Sequence, residues 1–150
     1  MNNFVLGFAF NKDFREVLLI LKNKPEWQKG LYNGIGGKIE DFESPEEAMV
    51  REFREESNID TKVENWKRVC QMGDYTTWGC EVFTTVLDNI NNYKNLTEEK
   101  CLVCVIRNCD DIKNINKINL PSNCIENLKW LIPLCIDCYE KDMSIIVTYH

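Results

Sequence analysis

Three glutamates on one predicted helix are the residues of this chain best suited to chemistry. Glu52, Glu55 and Glu56 are spaced at i, i+3 and i+4, which places them on one helix face. Carboxylates this close repel each other, and Mg²⁺ would remove that repulsion because it is a hard cation that prefers oxygen ligands. A solvated acidic surface is the plainer interpretation of the same residues.

The segment that must carry these glutamates has the start and stop signals of a helix. Ser44 and Glu47 are spaced as a capping box, and Pro45 suits the first helical position. Asn58 stands where the chain should leave the helix in a left-handed conformation. The glycine-rich segment 34–37 leads into the helix, and such segments bring backbone groups close to phosphates and metals.

The run from Gly37 to Ile59 resembles the Nudix box. The positions that this pattern fixes are matched by Gly37, Glu43, Arg51-Glu52, Phe53, Glu55-Glu56 and Ile59. The one departure is Asn58, which replaces the final glycine of the box. We expect little functional harm from it, because Asn tolerates the same left-handed backbone. Outside the box, the resemblance extends only to the order of helices and strands.

The resemblance implies an enzyme that cuts a phosphoanhydride bond with the help of Mg²⁺, for which Mn²⁺ could substitute. It assigns metal binding to the Gly36 carbonyl and to the carboxylates of Glu52, Glu55 and Glu56. Glu52 or Glu55 would also deprotonate the attacking water. Arg51 would support catalysis by pairing with Glu43 and holding the helix geometry, rather than by touching the substrate.

The implied fold is an α/β/α sandwich around a mixed sheet, built as a single domain from residues 1–150. Hydrophobic alternation predicts strands at 4–10, 16–21, 63–72, 78–87, 101–106 and 143–149. A surface loop is expected at 89–95. A second helix is predicted from about Asn123 to Cys138, opened by Pro121-Ser122. Pro133 predicts a kink or an early end in that helix.

Residues outside the box should choose the substrate. Lys22 and Lys38 are candidates for phosphate contact, Asn33 and Asn123 for hydrogen bonds to a base, and Tyr75 and Trp78 for stacking. Each also has a plain structural interpretation. The lysines could be solvated, Asn123 could cap a helix and Trp78 could pack in the core. Glu98 and Glu99 are candidates for a further metal ligand or base.

Two features bear on the substrate class. Members that act on ADP-sugars carry a proline about fifteen residues after the box, and Met72-Gly73-Asp74-Tyr75 stands there instead. Tyr75 is near a tyrosine typical of dinucleoside polyphosphate hydrolases. The compact length and the MutT-like order of elements favour a (d)NTP or an oxidised (d)NTP such as 8-oxo-dGTP. ADP-ribose or a dinucleoside polyphosphate is the alternative substrate, and a nucleotide sensor without catalysis is the alternative of another class.

Composition narrows the possible partners and the compartment. The formal net charge of -6 argues against nonspecific binding of a nucleic-acid duplex. No apolar run is long enough to cross a bilayer, and no signal peptide is apparent, so we expect a cytoplasmic protein without membrane contact. Its partner is expected to be a small-molecule nucleotide, bound by a monomer or a homodimer. The single histidine, His150, does not favour a histidine relay.

The chain has eight cysteines, and two Cys-x-x-Cys pairs raise the possibility of a zinc site. Cys101 and Cys104 fall in a predicted strand, where residues an odd number apart point to opposite faces. Reduced thiols that pack as small hydrophobic side chains are therefore expected.

Overall fold

The computed structural model describes residues 1–107 and 117–150. Within those residues, eight strands form one sheet and two α-helices pack against it. The strands are β1 Asn2–Phe10, β2 Glu16–Leu21, β3 Tyr32–Asn33, β4 Ile35–Lys38, β5 Lys67–Gly73, β6 Trp78–Val86, β7 Lys100–Val105 and β8 Ile145–Thr148. The helices are α1 Pro45–Ser57 and α2 Leu128–Lys141. No helix among the described residues is long and apolar enough to cross a membrane.

The sheet is mixed and is organised around β1. Its strand order is β3-β2-β1-β6-β5-β8, while β4 also pairs with β1 and β7 with β2. The pairs β1–β6 and β5–β8 are parallel, and the other pairs are antiparallel. β1 pairs with β6 over its full length, and also with β4 through residues 4–7 and with β2 through residues 9–10.

Side chains alternate across the sheet and divide the core between the two helices. On one face, Leu6, Phe8 and Phe10 of β1 share a buried cluster with the apolar side of α2. On the other face, Val5 and Ala9 share a cluster with the apolar side of α1. Because successive strand residues point to opposite faces, one strand supports both helices. The expected α/β/α sandwich is confirmed.

Gly7 lets α1 lie close to the sheet. A Cβ atom at this position would come within 2.5 Å of the Met49 side chain. Met49 and Phe53 are fully buried, and the Phe53 ring packs edge-on against Trp66 with centroids 5.0 Å apart. The helix that carries the glutamates is therefore fixed by close packing.

The start predicted for the second helix is wrong. α2 begins at Leu128 rather than Asn123 and continues to Lys141, beyond the predicted end. Tertiary contacts hold the preceding residues beside β3 instead: Tyr32 N donates to Asn123 O at 2.8 Å, and Ile125 N donates to Tyr32 O at 2.9 Å. Pro133 lies inside the helix, so the helix does not end early there; the kink, the other effect expected of this proline, stays a prediction.

The start of β5 and the predicted loop at 89–95 also differ in detail from the prediction. Residues 63–65 form a short 3₁₀ turn, so β5 begins at Lys67 rather than Val63. The segment 89–95 contains another 3₁₀ turn, whose Ile90 side chain is buried in the α1-side cluster. This apolar anchor ties the predicted loop to the core.

The cysteines among the described residues are free and buried. Cys101 belongs to the α1-side cluster and Cys104 to the α2-side cluster, so the sheet separates them as predicted. No group of three or more His, Cys, Asp or Glu side chains in residues 1–107 and 117–150 has metal-binding geometry. Cys109 lies outside the described residues.

Candidate functional site

Helix α1 begins and ends as its sequence signals predict. Glu47 N donates to Ser44 Oγ at 3.1 Å, and Ser44 N donates to the Glu47 carboxylate at 2.8 Å. Asn58 adopts the left-handed conformation, with φ 59° and ψ 24°, and its N–H donates to the carbonyl of Arg54. These two ends set the length of the helix and the direction in which its glutamates point.

Arg51 donates hydrogen bonds to several acceptors in α1 and in the segment before it. Its guanidinium makes a bidentate contact with Glu43, at 2.6 Å from Nε and 3.0 Å from Nη2. Nη2 also donates to the Lys38 carbonyl at 3.1 Å, and Nη1 donates to Glu52 Oε1 at 2.8 Å. The hydrogen bond from Arg51 lowers the pKa of Glu43. Arg51 thus ties the loop before α1 to the helix itself.

Glu52 is the most buried carboxylate of the three predicted metal ligands. Its side chain is 13% exposed and lies against Gly37, where an added Cβ atom would collide with the carboxylate. Burial raises the pKa of Glu52, opposed by the hydrogen bond from Arg51. The absence of a side chain at Gly37 is what allows this carboxylate to approach β4.

Glu56 and Glu55 are both less buried than Glu52. Glu56 accepts a hydrogen bond from the Thr97 hydroxyl at 3.0 Å, and its partial burial raises its pKa. Glu55 is 56% exposed and reaches Arg51 Nη1 at 3.4 Å. The three carboxylates share one helix face but do not converge on one point, because Arg51 and Thr97 hold them in different directions.

Glu99 and Lys22 form an ion pair next to this face. The Lys22 ammonium is 2.8 Å from Glu99 Oε1, and both side chains are largely buried. The backbone N–H groups of Asn23 and Lys24 donate to the other oxygen of Glu99, at 2.5 and 3.4 Å. The pKa of Glu99 is lowered: burial raises it, but these donors outweigh the burial. Glu98 accepts a hydrogen bond from the Asn23 side chain at 3.1 Å.

A cavity of about 720 Å³ opens beside the β4 glycines. Gly36 and Gly37 form part of its lining, and Gly37 also contacts the Glu52 carboxylate, which is not itself a lining residue. The polar lining includes Lys22, Gln28, Asn33, Glu126 and Asn127, and the aromatic lining includes Phe4, Trp27, Trp78 and Tyr149. Its volume is in the range that suits a small organic ligand.

The predicted substrate residues fall into two groups. Lys22, Asn33 and Trp78 line the cavity. Asn33 is fixed there by a hydrogen bond to Gln28 at 3.1 Å and by one that it accepts from Gly34 N at 2.8 Å.

Lys38, Tyr75 and Asn123 are not part of that lining. Lys38 is exposed at the end of β4, and Tyr75 lies in the β5–β6 turn with a positive φ of 57°. Asn123 donates to the Gly30 carbonyl at 3.2 Å. The helix-cap interpretation of Asn123 is wrong, because Asn127 is the residue that precedes α2.

The sequence-based candidates did not include Trp27, Gln28, Asn127 or Tyr149, which line the cavity. Trp27 and Gln28 lie in a segment that the sequence marks only as a break between strands. Tyr149 ends a predicted terminal strand, and Asn127 falls inside the predicted second helix. The exposed tryptophan beside Pro25 was the one local signal that could have indicated a binding surface.

Solved structures with this fold include several Nudix proteins. A MutT structure studied from Aliivibrio salmonicida and Vibrio cholerae is 21% identical, covers 91% of this chain and 98% of its own, and has a TM-score of 0.64. An ADP-ribose pyrophosphatase from Streptococcus suis is 15% identical, covers 97% of this chain and 98% of its own, and also has a TM-score of 0.64. A MutT/nudix family protein from Enterococcus faecalis is 14% identical, covers 93% and 62%, and has a TM-score of 0.69.

No curated protein matches the sequence. The NUDIX domain model matches residues 4–131, which include the whole of α1, the β4 glycines and the first residues of α2. With the fold and the arrangement of α1 described above, this match means that the chain belongs to the Nudix hydrolase family.

Proposed function

We propose that the chain hydrolyses a phosphoanhydride bond of a nucleoside diphosphate-linked substrate in the presence of Mg²⁺. The observation that carries this proposal is the position of the Glu52 carboxylate. It is buried against Gly37, which also lines the cavity, on a helix that carries Glu55 and Glu56 as well. The acidic face of α1 and the space for a ligand therefore meet at the β4 glycines.

The residues of this face fit a hard divalent cation. Glu52, Glu55 and Glu56 present oxygen donors. Burial raises the pKa of Glu52 and of Glu56, and repulsion from neighbouring carboxylates adds to this effect. A cation would relieve that repulsion, and side-chain rotation on a fixed helix would bring the oxygens together. We assign the Gly36 carbonyl as a further ligand. When bound, Mg²⁺ or Mn²⁺ supplies charge neutralisation at the phosphate oxygens.

Side chains of this chain would accept the proton from water and orient the phosphates. Arg51 holds Glu52 Oε1, and we assign Oε2 as the atom that accepts a proton from the attacking water. Glu55, which is more exposed, is the alternative base. Lys22 lines the cavity while it is paired with Glu99, and it would orient phosphate oxygens there. Catalysis by such a site rests mainly on positioning and electrostatics.

For the substrate we propose a (d)NTP or an oxidised (d)NTP such as 8-oxo-dGTP, which would give a nucleoside monophosphate and pyrophosphate. ADP-ribose or a dinucleoside polyphosphate is the alternative, since structures with this fold include both MutT and ADP-ribose pyrophosphatases. A bifunctional enzyme from Francisella tularensis with this fold was solved with AMP and a Mn ion; it is 21% identical, and the match covers 41% of that chain. A nucleotide sensor without catalysis is the second class of function, and the intact box carboxylates favour the enzyme.

The proposal is tested by measuring phosphate and pyrophosphate release with Mg²⁺ or Mn²⁺. The substrates should include (d)NTPs, 8-oxo-dGTP, ADP-ribose, diadenosine polyphosphates and capped RNA fragments. Metal-dependent turnover of a nucleotide is expected. Tight nucleotide binding without any release in saturating Mg²⁺ would instead establish the sensor.

Two variants test the assignment of the carboxylates. We expect Glu55→Gln and Glu56→Gln to fold normally and to lose most of the Mg²⁺-dependent turnover, because each removes a charged oxygen ligand. Glu64→Gln makes the same change in charge at an exposed position outside α1 and should keep its activity. Undiminished turnover in both α1 variants would exclude this metal face.

A further inference from the structure

One lining residue of the cavity, Tyr149, comes from a segment that follows the matched family region. β8 lies beyond residue 131, where the family match ends, and it pairs in parallel with β5 at the edge of the sheet. Tyr149 directly follows β8, and its N–H donates to the Gly73 carbonyl at 3.0 Å. This hydrogen bond continues the β5–β8 ladder and places Tyr149 in the cavity lining.

Tyr149 packs beside Trp78, which begins β6. Their ring centroids are 5.5 Å apart, at an interplanar angle of 51°. Tyr149 remains 40% exposed, so part of its ring is still available for a ligand. The two rings line the same cavity as Gly36 and Gly37. An aromatic surface therefore lies in the same cavity as Gly36, whose carbonyl we assign as a metal ligand.

Asn127 supplies a polar group in the same cavity. Its Oδ1 atom is buried and has no hydrogen-bond partner among the described residues. Asn127 precedes α2, but its side chain makes no capping hydrogen bond to the helix. An unpaired buried acceptor is costly, and a ligand that donates an N–H to Oδ1 would remove that cost.

We propose that Tyr149 and Asn127 determine how this chain recognises the base of its substrate. Tyr149, together with Trp78, is the stacking surface for a nucleobase, and Asn127 Oδ1 accepts a hydrogen bond from an amino group or ring N–H of that base. This assignment rests on the proposed function, because it takes the ligand to be a nucleotide. It moves hydrogen bonding to the base from Asn123, the sequence-based candidate, to Asn127.

Equilibrium binding tests the proposal independently of turnover. Isothermal titration calorimetry with AMP, GMP, CMP and UMP identifies the base that binds most tightly, and ribose 5-phosphate serves as the ligand without a base. Tyr149→Ala should weaken binding of the preferred nucleotide roughly tenfold and leave ribose 5-phosphate unchanged. Tyr149→Phe keeps the ring and should bind normally. Ile146→Ala, on the same strand with an exposed side chain, controls for damage to β8.

The hydrogen bond is tested in the same way. Asn127→Leu should weaken binding of the preferred nucleotide roughly tenfold. Asn127→Asp keeps an acceptor at this position and should bind that nucleotide better than the leucine variant. A larger loss in Asn123→Leu than in Asn127→Leu would return the assignment to Asn123.

Two results would overturn the aromatic part of the proposal. One is normal nucleotide binding by Tyr149→Ala, and the other is an equal loss for nucleotide and ribose 5-phosphate. Failure of the proposed function is a separate result: the wild-type chain would then bind nucleoside monophosphates without hydrolysing any nucleotide tested.

Discussion

At the scale of single residues, two neighbouring glycines of β4 have different functions. An added Cβ atom at Gly36 would collide with the carbonyl oxygen of Val5, which belongs to the paired backbone of β1. At Gly37 the colliding group is the Glu52 carboxylate, the end of a flexible side chain. One glycine therefore protects the sheet, and the other leaves room for the side chain we assign to catalysis.

This difference predicts that alanine at Gly36 mainly lowers stability, whereas alanine at Gly37 mainly lowers activity. Gly36→Ala should lower the free energy of unfolding by about 3 kcal/mol, because a strand must shift. Gly37→Ala should cost less than about 1 kcal/mol but reduce kcat at least about tenfold, because Glu52 is displaced. Urea denaturation and steady-state kinetics measure the two effects. A Gly37→Ala variant with full activity would show that the position of Glu52 does not matter.

The Arg51–Glu43 pair predicts a dependence of stability on pH. Because Arg51 lowers the pKa of Glu43, the pair stabilises the folded state above the ordinary glutamate pKa of 4.5, and this stabilisation is lost as the pH falls through the lowered value. Glu43→Gln should therefore lower the free energy of unfolding by about 1 to 2 kcal/mol at pH 7, and by progressively less below pH 4.5.

Denaturant titrations of wild type and variant across this pH range provide the measurement. Glu40→Gln is the control, since Glu40 is exposed and lies 4.0 Å from the same guanidinium. A Glu43→Gln cost that does not change with pH would mean that the pair contributes through shape rather than charge.

At the scale of elements, Asn58 ends α1 with the backbone conformation that the box normally gives to glycine. Asn58→Gly should leave the free energy of unfolding unchanged or raise it slightly. Asn58→Ala should lower it by about 1 kcal/mol, because alanine is strained at this positive φ. Thermal unfolding compares the two variants. Equal stability for Gly and Ala would contradict the importance of the left-handed residue.

The two helices show which kinds of element the sequence could predict. The ends of α1 were predicted correctly because Ser44, Pro45, Glu47 and Asn58 act within one or two turns of the chain. The start of α2 was not, because the residues before it are hydrogen-bonded to the backbone of Tyr32, a contact across about 90 positions that leaves no local pattern.

The site residues also divide into those that the sequence could predict from local patterns and those that depend on distant contacts. Box residues were identified together because they are close in the sequence. Trp27, Asn127 and Tyr149 come from three distant segments and meet only through the pairing of β8 with β5 and the late start of α2. A single tyrosine at the end of a strand gives no sign of what it faces, so only the fold could place it in the cavity.

At the scale of the whole molecule, the buried thiols report on global folding. Burial raises the pKa of Cys70 to about 11 and the pKa of Cys80 and of Cys101 to about 12. At pH 8 these thiols should therefore be protonated and shielded in the folded chain, and both effects end on unfolding.

Pulse alkylation at pH 8, read site by site by mass spectrometry, should label these three cysteines only in proportion to the unfolded population. Their labelling rates should coincide and should rise together across a urea titration. Fast labelling of one of them in the absence of urea would indicate a local opening of that part of the core.

The central position of β1 also has a consequence for the time course of folding. Its longest pairing joins residues 2–10 to residues 78–86. Two segments that are far apart in the sequence must therefore meet before this ladder can form. Contacts so distant in sequence slow the search for the folded state. β1 also contacts the β4 glycines and supports both helices. Helix α1, whose start and stop signals are local, can therefore begin to form early, while the candidate site is complete only after the slow step that joins β1 to β6.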